Sequence, residues 1–167
     1  MGGGGRTYII GGRGPDPDGR GAAVPIPVSG RLETDATRCS GCRDCEMVCS
    51  LIHEGLVAPS RALLTVCHDP FADDHPAILV CPQCAGPECL LACPRGAIVA
   101  DARTGARVVD EHTCDGCGLC VKACHLGMIW LDERTHTART CDLCDGEPQC
   151  VLHCPQNALT YHERSSR

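Results

Sequence analysis

Large rings are almost missing from this chain. Tyr8, Phe71, Trp130 and Tyr161 are the whole aromatic content of 167 residues. Aromatic side chains bury the most area each and normally dominate a core of this size, so something else must fill the interior. Lysine is nearly absent too: Lys122 stands alone, and the other cations are arginines spread along a chain of formal charge −6. With no basic block, that balance offers nucleic acid no surface. No apolar run nears bilayer-spanning length. Near the N-terminus "YII" is only three residues long, too short for the apolar stretch of a secretory signal. No Lys-Ser/Thr follows "GGGG" or "GGRG", which excludes a phosphate loop, and neither a Ser-His-Asp order nor a catalytic carboxylate pair stands out. The expectation is a cytoplasmic chain with no membrane span that is not an enzyme by itself.

Cysteine is what the chain has instead, 17 residues of it. An odd count and the lack of a secretory leader fit a disulfide framework poorly. The cysteines repeat. Cys39, Cys42, Cys45 and Cys49 form C-x2-C-x2-C-x3-C, and Cys114, Cys117, Cys120 and Cys124 return to that spacing. Cys81, Cys84, Cys89 and Cys93 form C-x2-C-x4-C-x3-C, followed by Pro94. Cys141, Cys144, Cys150 and Cys154 form C-x2-C-x5-C-x3-C, followed by Pro155. Cys67, in "LLTVCHDP", is left over and reads as a buried structural thiol.

A set of soft thiolates selects zinc or iron–sulfur clusters. Zinc favours two C-x2-C pairs around one atom. Here three cysteines on a tight loop can cap three irons of one cubane, and the fourth, one helical turn on, serves a second cluster. Gly41, Gly116 and Gly118 suit such loops, where positive φ is often required. Ser50 and His125 stand where the pattern has proline, which leaves every ligand intact. Four motifs supply sixteen ligands, enough for four [4Fe–4S] clusters, and the clusters then take the place of the missing aromatic core. His53, His125 and His153 lie beside motifs; with no cysteine position vacant, they read as hydrogen-bond donors to sulfur or surface residues.

Between motifs, "GAIVADARTGARVVD" and "GMIWLDERTHTART" read as hairpins, "ALTY" as a last apolar run, and each C-x3-C as a helix of one turn or slightly more. Residues 1–34, rich in Gly, Pro and Asp, read as an extended or flexible arm with "TYII" and "VPIPV" as its adhesive points.

Spacing alone leaves adjacent and nested pairing of the motifs both open. Four such motifs, the second and fourth expanded before their third cysteine, resemble the four-cluster ferredoxin-type electron-transfer subunits of multi-subunit oxidoreductases. The resemblance covers about residues 37–162. The opening "RCSGCRDCEMVCSLIHEG" is similar to the small subunits that accompany tungsten enzymes of the aldehyde:ferredoxin oxidoreductase family. This resemblance implies nested pairing: Cys39, Cys42 and Cys45 with Cys154; Cys141, Cys144 and Cys150 with Cys49; Cys81, Cys84 and Cys89 with Cys124; Cys114, Cys117 and Cys120 with Cys93. It implies an α+β fold of two ferredoxin-like modules, one inserted in the other, with short helices, β-hairpins and an extended N-terminal arm. Residues 35–80 and 137–167 would form the outer half and 81–136 the inner one.

The function so implied is electron relay between a catalytic tungsten- or molybdenum-pterin subunit and another redox partner, such as a flavin-bearing subunit or a further copy of the chain. A subunit of a hydrogenase, formate dehydrogenase or carbon monoxide dehydrogenase, a free polyferredoxin, and a redox-inert metal-stabilised module are the alternatives. Iron and sulfide in anaerobically purified protein should each approach about sixteen per chain, four for each of four clusters. Cys67→Ala should leave both unchanged; stoichiometric zinc with little iron would contradict the assignment.

Overall fold

The computed structural model describes residues 30–68 and 75–163, together with the backbone of Tyr8–Ile9. Its sheets are small and antiparallel, and each hangs a cysteine loop from its end. Strands β1 (Tyr8–Ile9), β5 (Ile98–Asp101) and β6 (Arg107–Val109) form a three-stranded sheet with β5 in the middle. Ile98 stands opposite Val109, and the β5–β6 turn passes through Gly105 as the sequence suggested. The edge strand β1 comes from "TYII"; "GGRGPDPDGRG" and "VPIPV" lie outside the described residues. Strands β7 (Ile129–Leu131) and β8 (Ala138–Thr140) are the hairpin expected around "DERT".

Two pairings were not foreseen. Strand β2 (Arg31–Thr34) pairs with β9 (Leu159–His162), which contains the "LTY" of the last apolar run. The end of the stretch read as an arm is therefore sewn to the end of the chain. Strands β3 (Leu64–Cys67) and β4 (Ala77–Val80) form a further hairpin. Alternation along β3 buries Leu64 and Val66 and turns Thr65 and Cys67 outward. Cys67 is thus an exposed thiol and not a buried one.

Helices α2 (Glu88–Leu91), α3 (Leu119–Ala123) and α4 (Gln149–Leu152) are the single turns expected at C-x3-C. Helix α1 (Asp44–Glu54) is not: it continues for 11 residues, to a left-handed Gly55. In three motifs the residue after the fourth cysteine accounts for the difference; α3 ends at Cys124, which is already extended at ψ 99°, although His125 and not proline follows it. Pro94 and Pro155 stop their helices, whereas Ser50 lets α1 run on, since only proline lacks the N–H and clashes with the preceding turn. Ser50 is fully buried. Its hydroxyl donates to Met47 O at 3.0 Å and accepts the Ala58 N–H at 3.0 Å, which folds the segment after α1 back against the helix.

The interior is built largely of sulfur and small aliphatic groups. One core gathers Cys45, Cys49, Cys141 and Cys150 with Leu32, Leu63, Leu143 and Leu159; the other gathers Cys120 with Ile98, Ile129 and Ala138. Helix α1 packs on α4, and α2 on α3. A charged clamp joins the β7–β8 hairpin to the end of α1. The buried Glu54 carboxylate accepts from Arg61 Nε at 2.8 Å, from Arg139 Nη2 at 3.0 Å and from Arg134. Burial pushes the Asp132 carboxyl up, but the Arg134 backbone N–H and the Arg61 guanidinium outweigh it and hold the group down at about 2. Arg61 also lies over the Trp130 ring at 5.9 Å. Such buried charges are tolerated because each is paired and hydrogen-bonded.

Ser50→Ala strands the Ala58 N–H and should lower the unfolding free energy by about 1–3 kcal/mol, read as earlier thermal bleaching of the iron–sulfur absorbance. Ser50→Pro, which matches the other motifs by sequence, should cost about 3 kcal/mol or more because it interrupts α1. Wild-type stability in the proline variant would refute this account of α1.

Candidate metal centres

Each motif opens on the same backbone device. The residue just before the second cysteine is left-handed in all four: Gly41 at φ 71°, Gln83 at 55°, Gly116 at 72° and Leu143 at 60°. This turns the loop so that its sulfurs converge. Glycine takes the conformation without strain, and at Gly116 nothing else fits, because a Cβ would lie 2.3 Å from His136 O. Gln83 and Leu143 take it because the tertiary structure holds them there. Leu143 is fully buried. The Gln83 side chain donates to Cys141 O at 2.7 Å and accepts the Arg107 N–H at 2.8 Å.

Each motif also closes on a device, which the sequence reading missed. Three residues after the fourth cysteine stands another left-handed residue: Gly96 at φ 62°, Gly127 at 65° and Asn157 at 48°. The tight turn brings the next backbone N–H onto the cysteine sulfur. Ala97 N donates to Cys93 Sγ at 3.3 Å, Met128 N to Cys124 Sγ at 3.4 Å, and Ala158 N to Cys154 Sγ at 3.3 Å. The signal, C-x2-[GN], was legible in the chain. In the first motif α1 runs through this position, and Leu63 N supplies the bond to Cys49 Sγ instead, at 3.3 Å. Ala138 N adds one to Cys114 Sγ at 3.5 Å.

The sulfurs gather across the sequence. Cys39, Cys42, Cys45 and Cys154 line one small cavity, walled by Val66, Ile78 and Ala158. Burial pushes the Cys45 thiol up to about 12, and the sulfurs of Cys42 and Cys154 add to that. Burial likewise raises Cys150, which Cys144 and Cys49 raise further, and Cys81, where Cys84 and Cys124 contribute. Burial takes Cys89 up to about 11, reinforced by Cys81 and Cys124. Burial also raises Cys120, which faces Cys93, Cys114 and Cys117. Neighbouring groups feel one another's charge. Cys150 feels Cys45 of the first, Cys141 feels Cys81 of the third, and Cys89 feels Cys120 of the fourth.

None of the 17 cysteines is in a disulfide. Buried thiols raised in this way carry no charge unless a cation compensates it, and a metal does so by replacing the protons. One buried cation already faces sulfur: the Arg107 guanidinium, whose Nε has no hydrogen-bond partner, lies in the field of Cys81, Cys89 and Cys84. Soft donors in fours, enclosed and unpaired with each other, fit [4Fe–4S] clusters.

His53 lies beside the second group. Its ring donates to Cys49 O at 2.8 Å and to Asp142 Oδ1 at 3.1 Å, with Cys49 Sγ 3.8 Å away. Asp142 first and Cys49 next raise the imidazole up to about 11. Ligand atoms of His53, Asp142 and Cys144 lie within 4.8 Å of one another. An imidazolium has no lone pair to give, however, so His53 acts here as a donor, as the sequence suggested. His125 and His153 lie at the surface.

The family described as "4Fe-4S dicluster domain" matches residues 77–164. The polyferredoxin-like subunit of aliphatic sulfonate oxidoreductase from Pyrococcus furiosus is 41% identical over 120 residues, covering 70% of this chain and 66% of that one. The beta subunit of NADH-dependent phenylglyoxylate dehydrogenase from Aromatoleum evansii is 36% identical over 128 residues, covering 76% and 29%. The thiosulfate reductase electron transfer subunit PhsB from Salmonella typhi is 31% identical over 144 residues, covering 76% and 72%. The chain thus spans 66% and 29% of the length of the first two. With four sulfur groups on an α+β scaffold of small hairpins and short helices, the chain belongs to the 4Fe-4S dicluster family of ferredoxin-type electron-transfer proteins. Its cofactors are [4Fe–4S] clusters, and the sixteen motif cysteines suffice for four.

Gly116→Ala should cost the holo-protein about four irons, one cluster's worth, because the added methyl meets His136 O. Gly86→Ala, where a Cβ meets nothing within 4 Å, is the control and should keep full iron. Equal iron in the two variants would show that this loop tolerates a side chain.

Proposed function

We propose that this chain relays electrons through four [4Fe–4S] clusters as the electron-transfer subunit of an oxidoreductase. The proposed ligands are Cys39, Cys42, Cys45 and Cys154 for the first cluster, and Cys141, Cys144, Cys150 and Cys49 for the second. Cys81, Cys84, Cys89 and Cys124 hold the third, and Cys114, Cys117, Cys120 and Cys93 the fourth. The observation that carries this reading is the gathering of Cys39, Cys42 and Cys45 of the first motif with Cys154 of the last around one cavity, which supports nested sharing of ligands between motifs. The packing of α1 on α4 and of α2 on α3 supports an outer half of 35–80 and 137–167 and an inner half of 81–136.

The chain's own residues exclude water from the sulfurs and donate backbone hydrogen bonds to them; the clusters supply the one-electron chemistry. At one end the chain docks a catalytic subunit of tungsten- or molybdenum-pterin type. The similarity of "RCSGCRDCEMVCSLIHEG" to subunits of tungsten enzymes supports this, and likeness to a subunit of an aliphatic sulfonate oxidoreductase supports a catalytic partner as such. The other end meets a flavin-bearing subunit, a soluble ferredoxin or a further copy. Exposed Leu51, Ile52, Leu56 and Val57, two pairs close in sequence around the end of α1, favour a docked subunit over a freely diffusing polyferredoxin. Among the described residues no helix is long and apolar enough to cross a membrane, and we assign the complex to the cytoplasm.

The test is anaerobic isolation of the tagged chain from its native cell, followed by a high-resolution map. The expected result is a large subunit bearing tungsten or molybdenum, with Cys154 bound to the same cluster as Cys39, Cys42 and Cys45. Recovery of the chain alone would return it to the polyferredoxins, and Cys154 sharing a cluster with Cys114, Cys117 and Cys120 would mean adjacent pairing.

A further inference from the structure

Arg107 is the one fully buried cation among the described residues, at 2% exposure. A buried charge normally has a buried counter-charge. Glu54 and Asp132 have theirs in Arg61, Arg134 and Arg139. Among the described residues no carboxylate pairs with Arg107. Its Nη1 donates to Gly105 O and its Nη2 to Cys84 O at 2.9 Å, both neutral carbonyls, and its Nε has no partner. The opposite charges that reach it are the sulfurs of Cys81, Cys89 and Cys84.

The other cations near sulfur differ. Arg43, which lines the first cavity, has a half-exposed side chain and pairs with Glu46, and His53 pairs with Asp142. Arg107 also stands where the two halves meet. Its backbone N–H binds Gln83 Oε1, while the same Gln83 amide donates to Cys141 O of the neighbouring sulfur group.

We propose that Arg107 is the potential-setting residue of the Cys81–Cys84–Cys89–Cys124 cluster, its buried guanidinium stabilising the negative charge that one added electron brings. This rests on the ligand assignment proposed above. The electron count is simple. One electron leaves the cluster of Cys141, Cys144, Cys150 and Cys49, the same electron arrives at the Arg107 cluster, and no bond or proton changes. A cation held in a low-dielectric site acts more strongly there than any exposed charge. Net charge and burial are among the levers through which protein sets cluster potential. Arg107 thus favours transfer across the junction, from the outer half to the inner.

The test compares Arg107→Gln, which keeps a donor but loses the charge, with Arg107→Lys, which keeps the charge. Both are made in the full chain and followed by iron analysis and an EPR-monitored redox titration. In Arg107→Gln one cluster should become at least tenfold harder to reduce at a fixed potential, a shift of about 59 mV to the negative for one electron. The other potentials should hold, and Arg107→Lys should stay near wild type. If both variants keep full iron and no potential moves, or all move together, the proposal is wrong. It is equally wrong if the two variants lose iron alike, since Arg107 would then be a packing residue. A wild-type chain with fewer than four clusters would instead overturn the ligand assignment, and this inference with it.

Discussion

A buried sulfur cannot stay ionised without a cation, and this constraint governs the whole molecule. Most of the motif cysteines are buried or half-buried, and burial pushes thiols such as Cys45 and Cys89 far above neutral pH. Iron removes the conflict, because it replaces the protons and neutralises the thiolates it binds. In such a chain metal binding is folding free energy. The small sheets support this view: they are two- and three-stranded ribbons of two to four residues per strand, too slight to be stable alone. Sulfur and iron do the work that aromatic rings do elsewhere.

The backbone around the sulfurs is shaped by a left-handed position that opens the loop in all four motifs and a second that closes it in three. The closing turn does more than steer the chain. It aims a backbone N–H at the fourth cysteine of three motifs, and hydrogen bonds to sulfur are a lever on cluster potential. The first motif reaches the same end differently. A serine after Cys49 lets α1 extend, the closing turn disappears, and a strand-side residue, Leu63, donates in its place. The longer helix then carries Glu54 to the arginines of the β7–β8 hairpin, so one residue choice after a ligand also ties the chain's outer segment to its middle.

The charges near the sulfurs are distributed unevenly. Arg43 and His53 each bring a carboxylate partner, so their net effect on a nearby cluster is muted. Arg107 brings none among the described residues, and it faces Cys81, Cys84 and Cys89 while its backbone N–H binds Gln83. A relay of identical sites needs some asymmetry to give the electron a direction, and a buried unpaired cation supplies one without altering any ligand.

The motif count, the sulfur chemistry, the β5–β6 and β7–β8 hairpins and the single-turn helices at three of four motifs were legible in the sequence. All depend on residues within about a dozen positions of each other: cysteine intervals, Gly105, "DERT", and in two motifs proline after the fourth cysteine. What the sequence left open depends on contacts between distant segments. The β2–β9 pairing and the packing of α1 on α4 bring the first and last motifs together, and no local interval encodes that. Gln83 and Leu143 adopt a backbone shape their side chains disfavour because remote partners and full burial hold them there. Cys67 faces solvent because β3 found β4 as its partner, which fixed which side of the strand lay inward. Arg107 reads in the sequence as one more arginine of a hairpin; only folding encloses it, keeps it from the carboxylates of the described residues and sets it against three sulfurs.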